Sequence, residues 1–376
     1  MTSPLVTRLE VDLRVSIDPV ERAMKSAQLA CYLARVGEFE EAERRRTELR
    51  QHFGDGRSPR VSIMIMCLEA LLLYFKDLDP TAHDRLLRAN LISVACHERA
   101  LVALTSAWLA HIEFNRGYFE SMAKATAHCL ETLDADDGTA DCRISLVLGD
   151  AFAFTGQDEV SRLWYERARL LATKLGDQAA IGALTYNRAA LHVAGARIHR
   201  LRNSQIKPDI SLVGAEVRSA INYQAVAQLS SLDHLLRSAT VGVLVLGDRF
   251  EEASHAIKLV LESSTVPAGT AEHALLYADY AHCEARLGNF GLARQMLGAA
   301  VAIRSESFDA DDRARIFGAL RGFSEAIGEA GAADAYLSAQ EAALDEHSVT
   351  VASLAKLLEP FSTASPSQSS ALNRVP

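Results

Sequence analysis

Through residues 277 to 301 apolar and small side chains return every third or fourth position. The first run is Tyr277, Tyr280, Ala281 and Leu287, the second Ala293, Leu297, Ala300 and Val301. That spacing predicts two amphipathic helices. Gly288-Asn289-Phe290 between them has room only for a tight turn, so the two run antiparallel. The layout recurs along the chain. Gly37 stands in Val-Gly-Glu-Phe-Glu-Glu-Ala, where Phe39 and Ala42 match Phe290 and Ala293; Gly247 stands in Leu-Gly-Asp-Arg-Phe-Glu-Glu-Ala, with Phe250 and Ala253. Further marks fall at Leu78-Asp79-Pro80, Gly117, Gly156 and about Ala330. The marks lie about 40 residues apart, with one interval of roughly twice that length holding an extra, longer helix pair over 177–230.

Repetition at this period predicts one stacked array rather than separate domains. A single pair cannot bury its own apolar stripe and borrows its neighbour's. Small residues such as Ala42, Ala253 and Ala293 belong where two helices come closest, and Phe39, Phe250 and Phe290 belong in the adjoining hole. The array is expected over 18–346, opened by Asp18-Pro19 as N-cap and first helical residue. A capping helix should close it over 347–360, and the Ser- and Pro-rich tail 361–376 should be disordered. Residues 1–17 form an N-terminal arm. Within it, 8–17 alternate polar and apolar residues as a half-buried strand does. Leu5, Leu9, Leu13 and Ile17 equally make a helical row. A strand there would offer a free edge for pairing, hence a homodimer through residues 8–17.

The sequence of small residue, glycine, polar residue, aromatic and, three positions on, alanine around Gly288 resembles the tetratricopeptide (TPR) motif, with rougher copies covering 20–346. The period exceeds the family's usual length of about 34 and looks more like the arrays in large bacterial transcription regulators and TPR-linked signalling enzymes. The resemblance implies an all-α, right-handed α-solenoid that binds along an inner face lined by each pair's first helix. Carried over, the register puts Cys31 and Arg35, His111 and Asn115, Asp150 and Phe154, Asn187 and Arg188, and His282 and Arg286 on that face. The Lys/Asn clamp that some TPR proteins use for chaperone C-termini is not found at these positions.

Composition narrows the function classes. The 39 basic and 48 acidic residues leave a net charge of -9, which argues against nucleic-acid or acidic-membrane binding. No run of about 18 apolar residues exists to span a bilayer, and Arg8, Glu10, Asp12 and Arg14 interrupt any signal-peptide core. The six cysteines are scattered, without a C-x-x-C, as expected of free thiols in a cytoplasmic protein.

Chemistry is sparse. There is no phosphate-binding glycine loop, no nucleophile elbow and no H-E-x-x-H. Cys96-His97, His128-Cys129 and His282-Cys283 are adjacent pairs, and neighbours on a helix diverge too far to share a ligand. Asp134-Ala135-Asp136-Asp137-Gly138 fails as a calcium loop because the glycine falls early and no closing glutamate follows. It and Asp309 to Asp312 read as N-caps with acidic first turns. One face stands out: Arg188, His192, His199 and Arg202 on the long helix, reinforced by Arg197, Arg200 and Lys207, an arrangement suited to carboxylates or phosphates. No cofactor or metal is expected. The sequence therefore predicts a non-enzymatic scaffold or adaptor that takes a protein segment or peptide. Its alternative is a regulatory sensor of a small anionic effector or signalling peptide.

Overall fold

The structure, a computed structural model, describes residues 3–134, 137–202, 209–263, 266–304 and 307–362. Among them every regular element is an α-helix. Lys207, Asp136 and the tail beyond Ser362 lie outside the described residues.

The chain divides into two compact units. Unit 1 contains α1 (Pro4–Val15), α2 (Pro19–Val36), α3 (Phe39–Phe53), α4 (Pro59–Asp77), α5 (Thr81–Ala95), α6 (Arg99–Asn115), α7 (Phe119–Thr132), α8 (Gly138–Phe154) and α9 (Asp158–Leu175). It also takes α10 (Gln178–Leu201) as far as Leu184, the stretch Tyr223–Ser231, and the chain from Leu354 onward. Unit 2 holds the remainder of α10 and α11 (Ile210–Ala227) up to Asn222. With them go α12 (Asp233–Leu246), α13 (Phe250–Glu262), α14 (Ala271–Arg286), α15 (Phe290–Ala302), α16 (Ala310–Ala326) and α17 (Ala330–Ser362) up to Ser353. The residues expected to form a separate capping helix, 347–360, continue α17 without a break.

One turn design connects most helix pairs. A residue in the left-handed region follows the first helix, and the next N–H reaches back five residues to a carbonyl, as in a Schellman motif. Glu38 donates to Leu33 O (2.9 Å), Tyr118 to Glu113 O (2.9 Å), Gln157 to Phe152 O (2.9 Å) and Asn289 to Glu284 O (2.8 Å). Glycine takes the left-handed position at Gly37, Gly117, Gly156 and Gly288, as its missing Cβ allows. At Gly247 the φ is -86° and the positive φ moves to Asp248. The fourth residue of each following helix then faces inward: Ala42, Met122, Ala253 and Ala293 are fully buried. Phe39 and Phe250 pack beside their cores. Phe290 does not fill its hole, being 44% exposed.

The N-terminal strand is corrected. Residues 4–15 are a helix, started by Pro4 at its first turn. The row of Leu5, Leu9 and Leu13 prevails over the period-two pattern, with Leu9 buried and Val11 and Val15 exposed. No strand edge remains there to pair with a second copy. Ser3 Oγ donates to Gly176 O at 2.8 Å and Leu5 N–H to the same carbonyl at 3.3 Å, which seats α1 on the turn before α10.

Unit 1 has two main cores. One joins α2 to α6 through Ala27, Ala30, Met64, Leu68 and Leu86; the other joins α6 to α9 with Leu354 and Leu358 of α17. In unit 2, Val241, Ile257 and Cys283 centre one cluster, and Ala278, Ile316 and Leu320 another. Side chains meet glycine at several close crossings: Tyr165 over Gly149 in unit 1, Val193 over Gly242 and His282 over Gly322 in unit 2.

Candidate functional site

A ligand-sized concavity lies inside unit 1. It is a pocket of about 490 Å³ with walls from α1, α2, α4, α6, α8 and the start of α10, within the range typical of small-molecule sites. Leu9, Met64, Leu71, Leu101, Leu104 and Trp108 give it an apolar side. Arg8, Asp12, Lys25, Asp134 and Thr139 add polar groups, with Lys25 Nζ 4.0 Å from Asp12.

Two arginines and one aspartate set the electrostatics. Asp177 follows the left-handed Gly176 and caps α10, its Oδ1 accepting from Ala180 N–H at 2.8 Å. Its carboxylate also takes a two-point contact from Arg35 of α2, at 2.7 and 3.0 Å. The two side chains are 9% and 5% exposed. Burial alone would raise the Asp177 pKa, but Arg35 and the cap hydrogen bond overcome it and hold it below the ordinary carboxylate range.

Arg143 of α8 lines the same pocket and is 6% exposed. Its guanidinium lies 4.0 Å from the Trp108 ring centroid, while that of Arg35 lies 5.9 Å from the Trp108 and Tyr32 centroids. Among the described residues, no carboxylate or carbonyl pairs with Arg143. Burial, aided by the neighbouring Arg35, pulls its pKa down to about 10. Cys31 and Cys142 share the lining; burial pushes their thiols up to about 12 and about 11, and that of Cys67 well above its ordinary value. These thiols stay protonated, which leaves them poor nucleophiles.

Several positions on the expected inner face gather behind this pocket. His111 stands edge-on to Trp108 and to Tyr74, at 5.6 and 5.4 Å. Burial, Arg143 and Arg35 hold its pKa well below the usual histidine value, and its Nδ1 has no hydrogen-bond partner. Asn115 donates to the carbonyl of His111 at 2.9 Å. Asp150, buried in α8, accepts from Tyr165 OH at 2.7 Å. Phe154 packs with Phe114 and Phe119. His111, Asn115, Asp150 and Phe154 thus support the site from its core rather than lining it.

The remaining predicted residues belong to unit 2. Arg188 and His192 both pair with Glu216, the former at 2.8 Å. Arg202 donates to Ser348 Oγ at 2.7 Å, Arg200 to Asp248 at 2.6 Å and to the Leu246 carbonyl at 2.8 Å. Arg197 forks onto buried Asp279 at 2.7 and 2.6 Å. His199 is exposed, and Asn187 is engaged in contacts of its own. The basic row therefore faces internal partners. His282 and Arg286 line a separate pocket of about 260 Å³ with Arg197, Arg315 and Gln340. Arg315 answers Asp311 and Asp312, and Arg286 lies over the Phe250 ring at 5.0 Å. Asp137 caps α8 through Ala140 N–H at 3.2 Å, whereas Asp309 makes no side-chain cap.

Sequence reasoning missed Arg143, Trp108 and the pairing of Asp177. A signal for Arg143 was present: it interrupts the apolar run 142–148 and has no acid three or four residues away on either side.

No group of three or more His, Cys, Asp or Glu among the described residues could hold a metal ion, and no helix there is long and apolar enough to cross a membrane. Comparison with known proteins finds no matching family model and no matching curated relative.

Proposed function

We propose that this chain is a TPR-like, right-handed α-solenoid that works by binding rather than catalysis, as a regulatory sensor of a small anionic effector. Its ligand site is the unit 1 pocket. The observation that supports this reading is a ligand-sized cavity with an apolar side on which Arg35, Arg143 and Trp108 converge. The anion site is therefore moved from the 188–202 row, whose cations have internal partners, to the wall formed by α2, α6 and α8.

A thermal-shift screen tests it, because a ligand that binds only the folded form raises the melting temperature. Leu101→Trp, which fills the pocket, should abolish the shift given by any hit. The double variant Arg188→Glu/Arg202→Glu should leave it intact. A hit that survives Leu101→Trp and is lost in the double variant returns the site to unit 2.

A second reading, an adaptor for a protein segment, draws on an exposed apolar row on α5: Leu87, Leu91 and Val94, 39%, 59% and 41% exposed, at helical spacing. A partner that co-purifies with the wild type should be lost on Leu91→Glu. Retention there would end this reading.

A further inference from the structure

We propose that the unit 1 pocket takes a monocarboxylate with an apolar body, the carboxylate being received by Arg143. This rests on the reading of that pocket as the ligand site and names the chemistry of its ligand.

Of the charged side chains lining the pocket, three are deeply buried: Arg35, Asp177 and Arg143. Arg35 and Asp177 cancel through their two-point contact. Asp141 and Asp150, the buried acids of α8, accept from Arg167 and from Tyr165. Arg143 remains, a guanidinium that is 6% exposed, set on an indole ring, with no hydrogen-bond acceptor among the described residues. Buried charged groups are normally hydrogen-bonded, so what the pocket offers a ligand is a buried donor group without an acceptor. A monoanion supplies the acceptor; a dianion would bring a second negative charge into a lining that already holds Asp12, Asp134 and Asp137.

Geometry narrows the anion further. The Arg143 guanidinium carbon lies 4.0 Å from the Trp108 ring centroid, and the planar fork it carries matches a planar carboxylate in a two-point contact. Beyond the head group, the lining turns apolar through Leu9, Leu71, Leu101 and Leu104. About 490 Å³ is far more space than a bare carboxylate needs, so the rest of the ligand is a hydrocarbon or aromatic body. A free acid and the C-terminal residue of an apolar peptide share this chemistry.

The experiment titrates the full chain by calorimetry and thermal shift with dodecanoate below its micelle concentration. Dodecanol supplies the body without the charge, acetate the charge without the body, and inorganic phosphate the alternative anion. Dodecanoate should bind saturably with unit stoichiometry, and the three controls should bind at least about tenfold more weakly. Arg143→Met should weaken dodecanoate on the order of tenfold to a hundredfold and leave dodecanol unchanged. Without ligand, this variant should melt no lower than the wild type, because it removes an unpaired buried charge. A residue needed only for structure would instead lower the melting temperature. Comparing a peptide ending in a free leucine carboxylate with its amide identifies the source of the acid: preference for the free terminus assigns a peptide, equal weakness of both a free acid, and the inference stands in either case. Equal binding of dodecanoate and dodecanol, blocked by Leu101→Trp, would overturn the carboxylate while keeping the pocket. Tighter binding of phosphate would overturn it in favour of a dianion. Binding of no probe would remove both the inference and the reading beneath it.

Discussion

In unit 1, Arg35 meets Asp177 at 2.7 and 3.0 Å; in unit 2, Arg197 meets Asp279 at 2.7 and 2.6 Å. Both forks are buried, with side chains no more than 10% exposed. Each borders a pocket that a second arginine also lines. There the likeness ends. Arg315 of unit 2 answers Asp311 and Asp312, while Arg143 of unit 1 answers only an indole ring. The difference teaches that a count of arginines around a cavity says little. What marks a site is the charge left over once internal partners have been subtracted.

The largest test of that comparison breaks the forks. Asp177→Asn and Asp279→Asn each leave a buried guanidinium uncompensated and should cost about 3–5 kcal/mol in urea denaturation. The loss should be greater for Asp177→Asn, since Arg143 stands beside the exposed charge of Arg35. A greater loss for Asp279→Asn would break the comparison.

Packing should treat the units alike. Gly149→Ala sets a Cβ 2.6 Å from the Tyr165 ring in unit 1, and Ala293→Leu overfills a fully buried contact in unit 2. Each should cost about 1–3 kcal/mol by the same measurement. A loss confined to one unit would show that the close crossings are not equivalent.

The second arginines sharpen the contrast at smaller scale. Arg315→Met strands two acids and should lower the denaturation midpoint, by about 1–2 kcal/mol of stability. Arg143→Met should not lower it. Matching losses would mean that Arg143 is satisfied within the fold.

Acid provides the smallest effect. Burial and two arginines hold His111 neutral in the fold, so only the unfolded chain takes up a proton near its ordinary pKa of about 6.5. Its contribution is complete above that pH and declines as pH falls below it. The depressed Asp177 adds a second loss, beginning only below its unfolded pKa of about 3.9. Melting temperature against pH should fall with a shallower slope for His111→Asn between about pH 6.5 and pH 5. An unchanged slope would show that His111 is not the group being titrated.

Local physics made the helices and their turns legible. Apolar periodicity located the helix pairs, and the glycines at 37, 117, 156 and 288 marked turns whose backbone demands a positive φ. The arm at 8–17 misled because ten residues satisfied two periods at once, and only Pro4 and the seat on Gly176 decided between them. The site was harder to read. Arg35 and Asp177 lie 142 positions apart, and no spacing rule joins residues at that separation. The 188–202 row looked like a free cationic face because its partners, Glu216 and Asp279 on helices and Asp248 in a turn, come from segments whose placement the sequence does not state.

The repeated hand-over from helix to helix carries a consequence for how this chain tolerates change in length. A residue added to or removed from the stretch between Gly37 and Ala42, or between Gly288 and Ala293, would turn the following helix by about 100° about its own axis. That would swing the methyl groups of Ala42 or Ala293 out of the crevice they occupy. Whole-segment duplication from one left-handed residue to the next preserves that phase, so growth by copying is gentler on this molecule than the loss of one amino acid.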